Sequence, residues 1–222
     1  IVAAARPQYG QKEKTIKRQG IEVMVALDIS NSMLAEDVAP NRLDRAKQML
    51  SKMIDNMVDD KVGLVIFAGD AFTQLPITCD YVSAKMFLNT ISPNLIPTQG
   101  TAIGAALQTA VASFGTSESE IGRAIVLITD GENHEGDLSE ELELAKQEGV
   151  TIYTIGIGTP EGAPIRIGGN YIKDDKGEMV VSKLGEETLR DIAATTGGAY
   201  VRATKQDIGL SDIVRGIDQM ER

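Results

Sequence analysis

The chain has 222 residues, with 22 Lys+Arg against 32 Asp+Glu and a net charge of −10. That length suits one large α/β domain and is too short for two well-cored ones, while 42% hydrophobic residues supply a packed core and exclude wholesale disorder. The acidic balance excludes a nucleic-acid-binding surface, because affinity for phosphate backbones comes from clustered Lys and Arg.

In chain order, Ile1–Ala5 is wholly apolar and runs into Arg6-Pro7-Gln8 and a polar segment with Lys12, Lys14, Lys17 and Arg18, so that the first 20 residues hold five basic residues against Glu13. Residues 1–20 therefore read either as a frayed terminus or as the trimmed end of something hydrophobic followed by a juxtamembrane spacer. No stretch approaches the about 18 to 20 apolar residues of a membrane span. From Ile21 onward short apolar runs alternate with helical patterns. Ile21–Leu27 is the first strand, ending at Asp28. Leu43, Ala46, Met49, Leu50, Met53, Ile54 and Met57 recur at spacings of three and four and predict a helix over 42–58. Strands follow at 62–67 and 72–75, the latter closed by Pro76, then helices at 81–91 and 102–114. Ala124–Ile128 is a fully buried strand ending at Thr129-Asp130. Asp137 with Glu140 three positions on predicts a capping-box helix start, with the helix reaching about Glu148. Thr151–Ile157 is the next strand. Residues 161–183 break the alternation and read as small hairpins. A helix at 187–195, a strand at 199–201 and a helix over 208–220 complete the chain. Strands apolar on both faces need helices on both sides, which predicts a doubly wound, mostly parallel α/β sheet. In such sheets sites form beyond the carboxyl ends of the strands.

At those strand ends lies a set of oxygen donors. Asp28-Ile29-Ser30-Asn31-Ser32 places a carboxylate and two hydroxyls after the first strand, and Gln99-Gly100-Thr101-Ala102-Ile103-Gly104 delivers a third hydroxyl at a helix start. Asp130-Gly131-Glu132 adds a second carboxylate on the same edge. A single histidine, His134, excludes a multi-histidine site, and the single Cys79 excludes an internal disulfide. Two carboxylates and three hydroxyls are hard ligands, suited to Mg²⁺ or Mn²⁺ and not to Zn²⁺. Asp28 and Asp130 would act directly or through water, leaving the ion incompletely neutralised and open to an outside carboxylate. Taken singly, the Asp-x-Ser-x-Ser loop could be only a turn and helix cap, Thr101 only an N-cap, and Asp130-Gly131 only a turn. Their common position on one inferred sheet edge argues for a site.

The set Asp28, Ser30, Ser32, Thr101 and Asp130 resembles the metal-ion-dependent adhesion site of von Willebrand factor type A (VWA) domains, with no member substituted. The wider chain resembles the bacterial aerotolerance-type (Bat) membrane proteins, through Ala5–Gln8, Leu27–Met33, Asn41-Arg42-Leu43, Phe67–Ala71, Pro97–Gly104 and Thr129–Asn133. The resemblance implies a VWA domain over 21–222 with a hairpin insertion at 161–183. It further implies a six-stranded sheet in the order 3-2-1-4-5-6 with one antiparallel edge strand, so that Asp28 and Asp130 flank one crevice. It implies a protein that is no enzyme, a metal-dependent protein–protein interaction domain in which Mg²⁺ (with Mn²⁺ or Ca²⁺ as alternatives) captures an acidic residue of a partner. Other Bat-type proteins or a MoxR-type ATPase system are the partners it suggests. Relatives of this kind sit in the bacterial inner membrane, between transmembrane helices, with the domain on the periplasmic side; Ile1–Ala5 then reads as the end of a membrane helix. The basic flank would point to the cytoplasmic side, but long domains translocate largely regardless of loop charge.

The rival is an Mg²⁺-dependent phosphotransferase or phosphatase of haloacid-dehalogenase type, which also places acids after strands 1 and 4. That chemistry needs a second Asp two residues after the first as general acid, and here the position is Ser30. His134, four residues past Asp130, has no Gly-x-Ser-x-Gly elbow to serve. It reads as a solvated loop residue, and the charges of the first helix, such as Asp44-Arg45, read as a solvated face.

Overall fold

The computed structural model describes residues 20–115, 121–132, 136–203 and 210–220. The expected juxtamembrane segment apart from Gly20, His134 and the expected Ile208 start of the last helix lie outside these residues.

Strand β1 (Glu22–Asp28) lies at the sheet centre and is buried along its whole length. Its side chains alternate between two cores. Val23, Val25 and Leu27 join one cluster, and Met24 and Ala26 join the other, so each face must be covered by helices. On the first face lie α1 (Arg42–Asn56), α2 (Tyr81–Thr90) and α6 (Leu210–Met220), contributing Met49, Leu50, Met53, Leu88, Ile213 and Ile217. On the second lie α3 (Ile103–Ala112), α4 (Ser139–Gln147) and α5 (Glu186–Thr196), contributing Ile103, Leu107, Ala145, Leu189 and Ile192.

The remaining strands of the main sheet are β2 (Lys61–Phe67), β3 (Ala71–Thr78), β4 (Arg123–Thr129), β5 (Val150–Ile157) and β10 (Tyr200–Ala203). They stand in the order β10-β5-β4-β1-β2-β3, which is the predicted 3-2-1-4-5-6 order with β10 as the sixth main-sheet strand. All pairings are parallel except β2 with β3, at the edge.

Two local expectations are corrected. Strand β3 does not stop at Pro76 but runs to Thr78. Proline lacks an N–H for a ladder but is tolerated on an edge strand or at a bulge. Here the register slips between Val62↔Thr78 and Leu64↔Leu75, which leaves Pro76 and Ile77 opposite a single residue. Nor does the Asp137/Glu140 capping box form. Asp137 Oδ1 instead accepts hydrogen bonds from the Ser139 backbone N–H (3.1 Å) and Ser139 Oγ (2.6 Å), and α4 starts at Ser139 with Leu138 as N-cap. A hydroxyl two residues on satisfies the carboxylate locally, while Leu138 is drawn into the core beside Ala145.

The 161–183 segment forms two small two-stranded sheets apart from the main one. Strand β6 (Ala163–Pro164) pairs antiparallel with β9 (Val181–Ser182), and β7 (Arg166–Ile167) with β8 (Asn170–Tyr171). Gly168 and Gly169 have φ of 58° and 86°. That left-handed pair is what a two-residue hairpin turn requires. Among the described residues no helix is long and apolar enough to cross a membrane.

Candidate functional site

The register of the sheet brings the separate loops to one edge. Leu27 is level with Ile128 and Asp28 with Phe67, so the chain leaves β1, β2 and β4 at the same height. Asp28 is fully buried, and each of its carboxylate oxygens has a partner. Oδ1 accepts from the Ser30 N–H (2.9 Å), and Oδ2 accepts from Thr129 Oγ1 (2.6 Å). The first bond turns the chain so that Ser30 Oγ and Ser32 Oγ lie 2.9 Å apart. A short 3₁₀ helix, Asn31–Leu34, follows, and the Ser30 side chain makes no cap hydrogen bond to it. Its hydroxyl is thus turned to the other serine and not to the helix end.

Thr101 is delivered from the far side of β2. Gly69 N–H donates to Thr98 O (3.0 Å) and Ala102 N–H to Ala68 O (2.7 Å), which docks the Thr98–Ala102 loop on the end of that strand. The N-cap of α3 is Ala102 and no side chain caps it, so Thr101 is not the helix cap that its position suggested. Its side chain is instead buried in the docked loop, as those of Ser30 and Ser32 are in theirs. Gly69 is where this docking is tightest. A Cβ there would lie 2.7 Å from Gln99 O and 2.9 Å from Thr98 O, both backbone atoms that cannot swing aside.

Asp130 is the most heavily bonded member. Oδ1 accepts from the Glu132 N–H (3.1 Å), while Oδ2 accepts from Arg42 Nη1 (3.1 Å) and Ser182 Oγ (3.3 Å). Gly131, with φ of 77°, turns the chain directly after it. Burial, and next the neighbouring Asp130 charge, push the Asp28 carboxyl up to about 7, against hydrogen bonds from Ser30 and Thr129 that pull it down.

Arg42 is the residue that sequence reasoning missed. In the sequence it stands in the Asn41-Arg42-Leu43 segment at the start of a helix whose charges read as a solvated face, with nothing that marks it as buried. Its side chain is 0% exposed. The guanidinium donates from Nε and Nη2 to the two oxygens of Asp37 (2.8 and 2.7 Å), from Nη1 to Ser182 Oγ (2.7 Å) and Asp130, and from Nη2 to Ser182 O (3.0 Å). Asp37 in turn accepts from the Thr159 N–H at the end of β5 (2.9 Å). Burial would raise the Asp37 carboxyl, but the bonds and charge of Arg42 outweigh it and hold the group below its ordinary range. One signal was available in the sequence. A cation in the first turn of a helix opposes the helix dipole, so an Arg there asks for a compensating partner.

The five predicted residues are therefore gathered at one edge and all are buried. Among the described residues there is no group of three or more His, Cys, Asp or Glu suited to a metal, so a cation at this edge must draw on hydroxyls. The donor set fits a hard divalent cation on chemical grounds: every candidate atom is oxygen, and two carboxylates repel each other where only Asp130 meets a guanidinium.

Residues 22–215 match the von Willebrand factor type A domain, and the chain belongs to that family. Two solved structures are 50% identical to it in sequence. One is the conserved hypothetical protein BatB from Bacteroides thetaiotaomicron, with a TM-score of 0.86 over 90% of this chain and 98% of that one. The other is an aerotolerance-related membrane protein from Bacteroides fragilis, with a TM-score of 0.85 over 90% of this chain and 100% of that one. A protein of Nocardia farcinica named UPF0353 is 30% identical over 241 residues, spanning 99% of this chain and 67% of its own length. The chain spans about half to two thirds of the length of the curated relatives it matches.

Proposed function

We propose that this is the metal-dependent protein-interaction domain of a membrane-anchored Bat-type protein. The observation that carries the reading is the convergence of Asp28, Ser30, Ser32, Thr101 and Asp130 at one buried sheet edge, as oxygen donors from three separate loops. Mg²⁺ would be held there by Ser30, Ser32 and Thr101, with Asp28 and Asp130 binding directly or through water. Mn²⁺ and Ca²⁺ share that preference for oxygen. The bound ion keeps a position for the Glu or Asp of a partner protein. Asp130 already holds Arg42, Ser182 and the Glu132 N–H, which favours a water-mediated role for it. The Bacteroides fragilis relative is named a membrane protein, which supports membrane attachment; we place the attachment in flanking segments and the domain on the periplasmic side of the inner membrane. Other Bat-type proteins or a MoxR-type ATPase system are the partners to try first.

The phosphotransferase alternative lacks support in the geometry. Two residues after Asp28 stands Ser30, whose hydroxyl lies 2.9 Å from Ser32 Oγ, a pair with no carboxyl proton to give a leaving group. Calorimetric titration of Mg²⁺ into EDTA-stripped protein should reveal a single site, and capture of partners from solubilised membranes should fail in EDTA. Robust Asp28-dependent phosphatase turnover would overturn the reading.

The docking of the Thr101 loop gives a separate check. Gly69→Ala should weaken Mg²⁺ binding about 10–100-fold, as lost support behind a metal ligand does, while circular dichroism stays that of the parent. Unchanged Mg²⁺ affinity in that variant would remove Thr101 from the site.

A further inference from the structure

The 161–183 insertion has an outward face that its own anchoring does not use. The cross-strand pairs Pro164↔Val181, Arg166↔Tyr171 and Lys173↔Met179 fix which side chains share a side, since partners in an antiparallel pair point the same way and alternate residues agree. Each pair puts its two side chains on one side, and the three pairs together are the outer row: of Pro164, Arg166, Tyr171, Lys173, Met179 and Val181, all but Pro164 are exposed. Between these pairs lie Ile165 and Ser182, both buried, and the half-buried Ile172 and Val180, while Ile167 and Asn170 at the hairpin turn are exposed. The inner row attaches the insertion to the domain, and Ser182 reaches the site itself through Asp130 and Arg42.

The outer row leaves Tyr171, Met179 and Val181 about half exposed, at 47%, 54% and 48%. Burying these side chains elsewhere would be favourable, and grouped exposed apolar residues mark interaction surfaces. The row contains two cations and no carboxylate. The Arg166 guanidinium lies 5.2 Å from the Tyr171 ring centre, and its nearest acid, Glu36, is 3.9 Å away in an exposed pair that contributes little. On a chain of net charge −10 this is an unusual place for a basic and apolar face. The insertion that carries it abuts the site, because Lys183 N–H donates to Glu132 Oε1 (2.9 Å) and the inward-facing Ser182 lies against Asp130.

Resting on the metal reading above, we infer that the outer row is the specificity surface for the partner: it binds the residues flanking the metal-captured carboxylate, in an extended protein segment that is both acidic and apolar. Further carboxylates of that segment meet Arg166 and Lys173, and its apolar side chains cover Tyr171, Met179 and Val181. Electrostatic complementarity of this kind selects partners against a repelling background.

The test uses labelled synthetic dodecapeptides with one central Asp, read by fluorescence anisotropy in Mg²⁺. One peptide has Glu, Leu and Phe flanks, a second Gly and Ser flanks, and a third Lys, Leu and Phe flanks. The first should bind at least about tenfold more tightly than the others, as loss of an aromatic anchor and its surroundings usually costs. Tyr171→Ser/Met179→Ser and Arg166→Glu/Lys173→Glu should each erase that preference, with Tm and Mg²⁺ affinity unchanged because all four side chains are exposed. Equal binding of the three peptides, no binding of any, or variants that keep the preference would overturn the proposal. So would variants that instead lose binding to anionic vesicles or lose self-association. Peptide binding that survives EDTA and Asp28→Ala yet disappears in the two double variants would sink the metal reading while leaving the face in place.

Discussion

Replacing Arg42 by Met should lower the unfolding free energy by about 3–5 kcal/mol, among the largest losses any single change in this domain can produce. The guanidinium is 0% exposed and bonds Asp37 through two nitrogens, Asp130 through a third contact, and Ser182 twice. Its removal leaves the fully buried Asp130 and the nearly buried Asp37 without their countercharge. A carboxylate stranded in that way carries its desolvation penalty uncompensated. Urea denaturation of the metal-free variant measures the loss. A shift below about 1 kcal/mol, the scale of an exposed ion pair, would show that the network is solvated and not structural. Arg42→Lys should recover only part of the stability, because an ammonium cannot span Asp37, Asp130 and Ser182 at once.

The second large effect is a reversal of sign at Asp28. In EDTA, Asp28→Asn should stabilise the protein at pH 8, and it should also abolish the response to Mg²⁺. The folded-state carboxyl, pushed up to about 7 by burial and by Asp130, lies above its ordinary value of 3.8. For such a group the folded state binds the proton more tightly than the unfolded chain. The contribution of this carboxyl to stability is therefore fully present below about pH 4, declines as pH rises towards 7, and stays at its lower level above. Asn cannot ionise, so the metal-free variant should show no such decline. With the parent protein, Mg²⁺ at 100 times its Kd should add about 2.7 kcal/mol. For a domain of this size that is a rise of about 5–10 °C in Tm. Differential scanning calorimetry with and without Mg²⁺ separates the two effects. A variant that keeps the full Mg²⁺ shift would remove Asp28 from the site.

These two residues also mark how far the sequence could be read. Asp28 was legible because its signals are local: an apolar run ends, and a carboxylate and two hydroxyls follow within five residues. The alternation of strands with helices was legible for the same reason, since periodicity is set by neighbours along the chain. Where a local signal competed with packing, it failed. Pro76 implied a strand end that the bulged edge pairing of β3 overrides, and Asp137 implied a cap that Ser139 intercepts. Arg42 was not legible as a buried anchor, because its partners lie 5, 88 and 140 residues away.

By itself the sequence determined the α/β class and the strand ends to search, and it offered the five oxygen-bearing residues Asp28, Ser30, Ser32, Thr101 and Asp130 as the candidates there. Those follow from side-chain type and short-range pattern, which a folded chain cannot alter. Only the tertiary structure decided that Arg42 and Asp37 brace the edge from behind, and that Ser182 ties the 161–183 insertion to Asp130. It also decided that this insertion turns an apolar and basic row outward beside the site. Burial and charge pairing depend on which distant segments the sheet register brings together, and no local pattern records that.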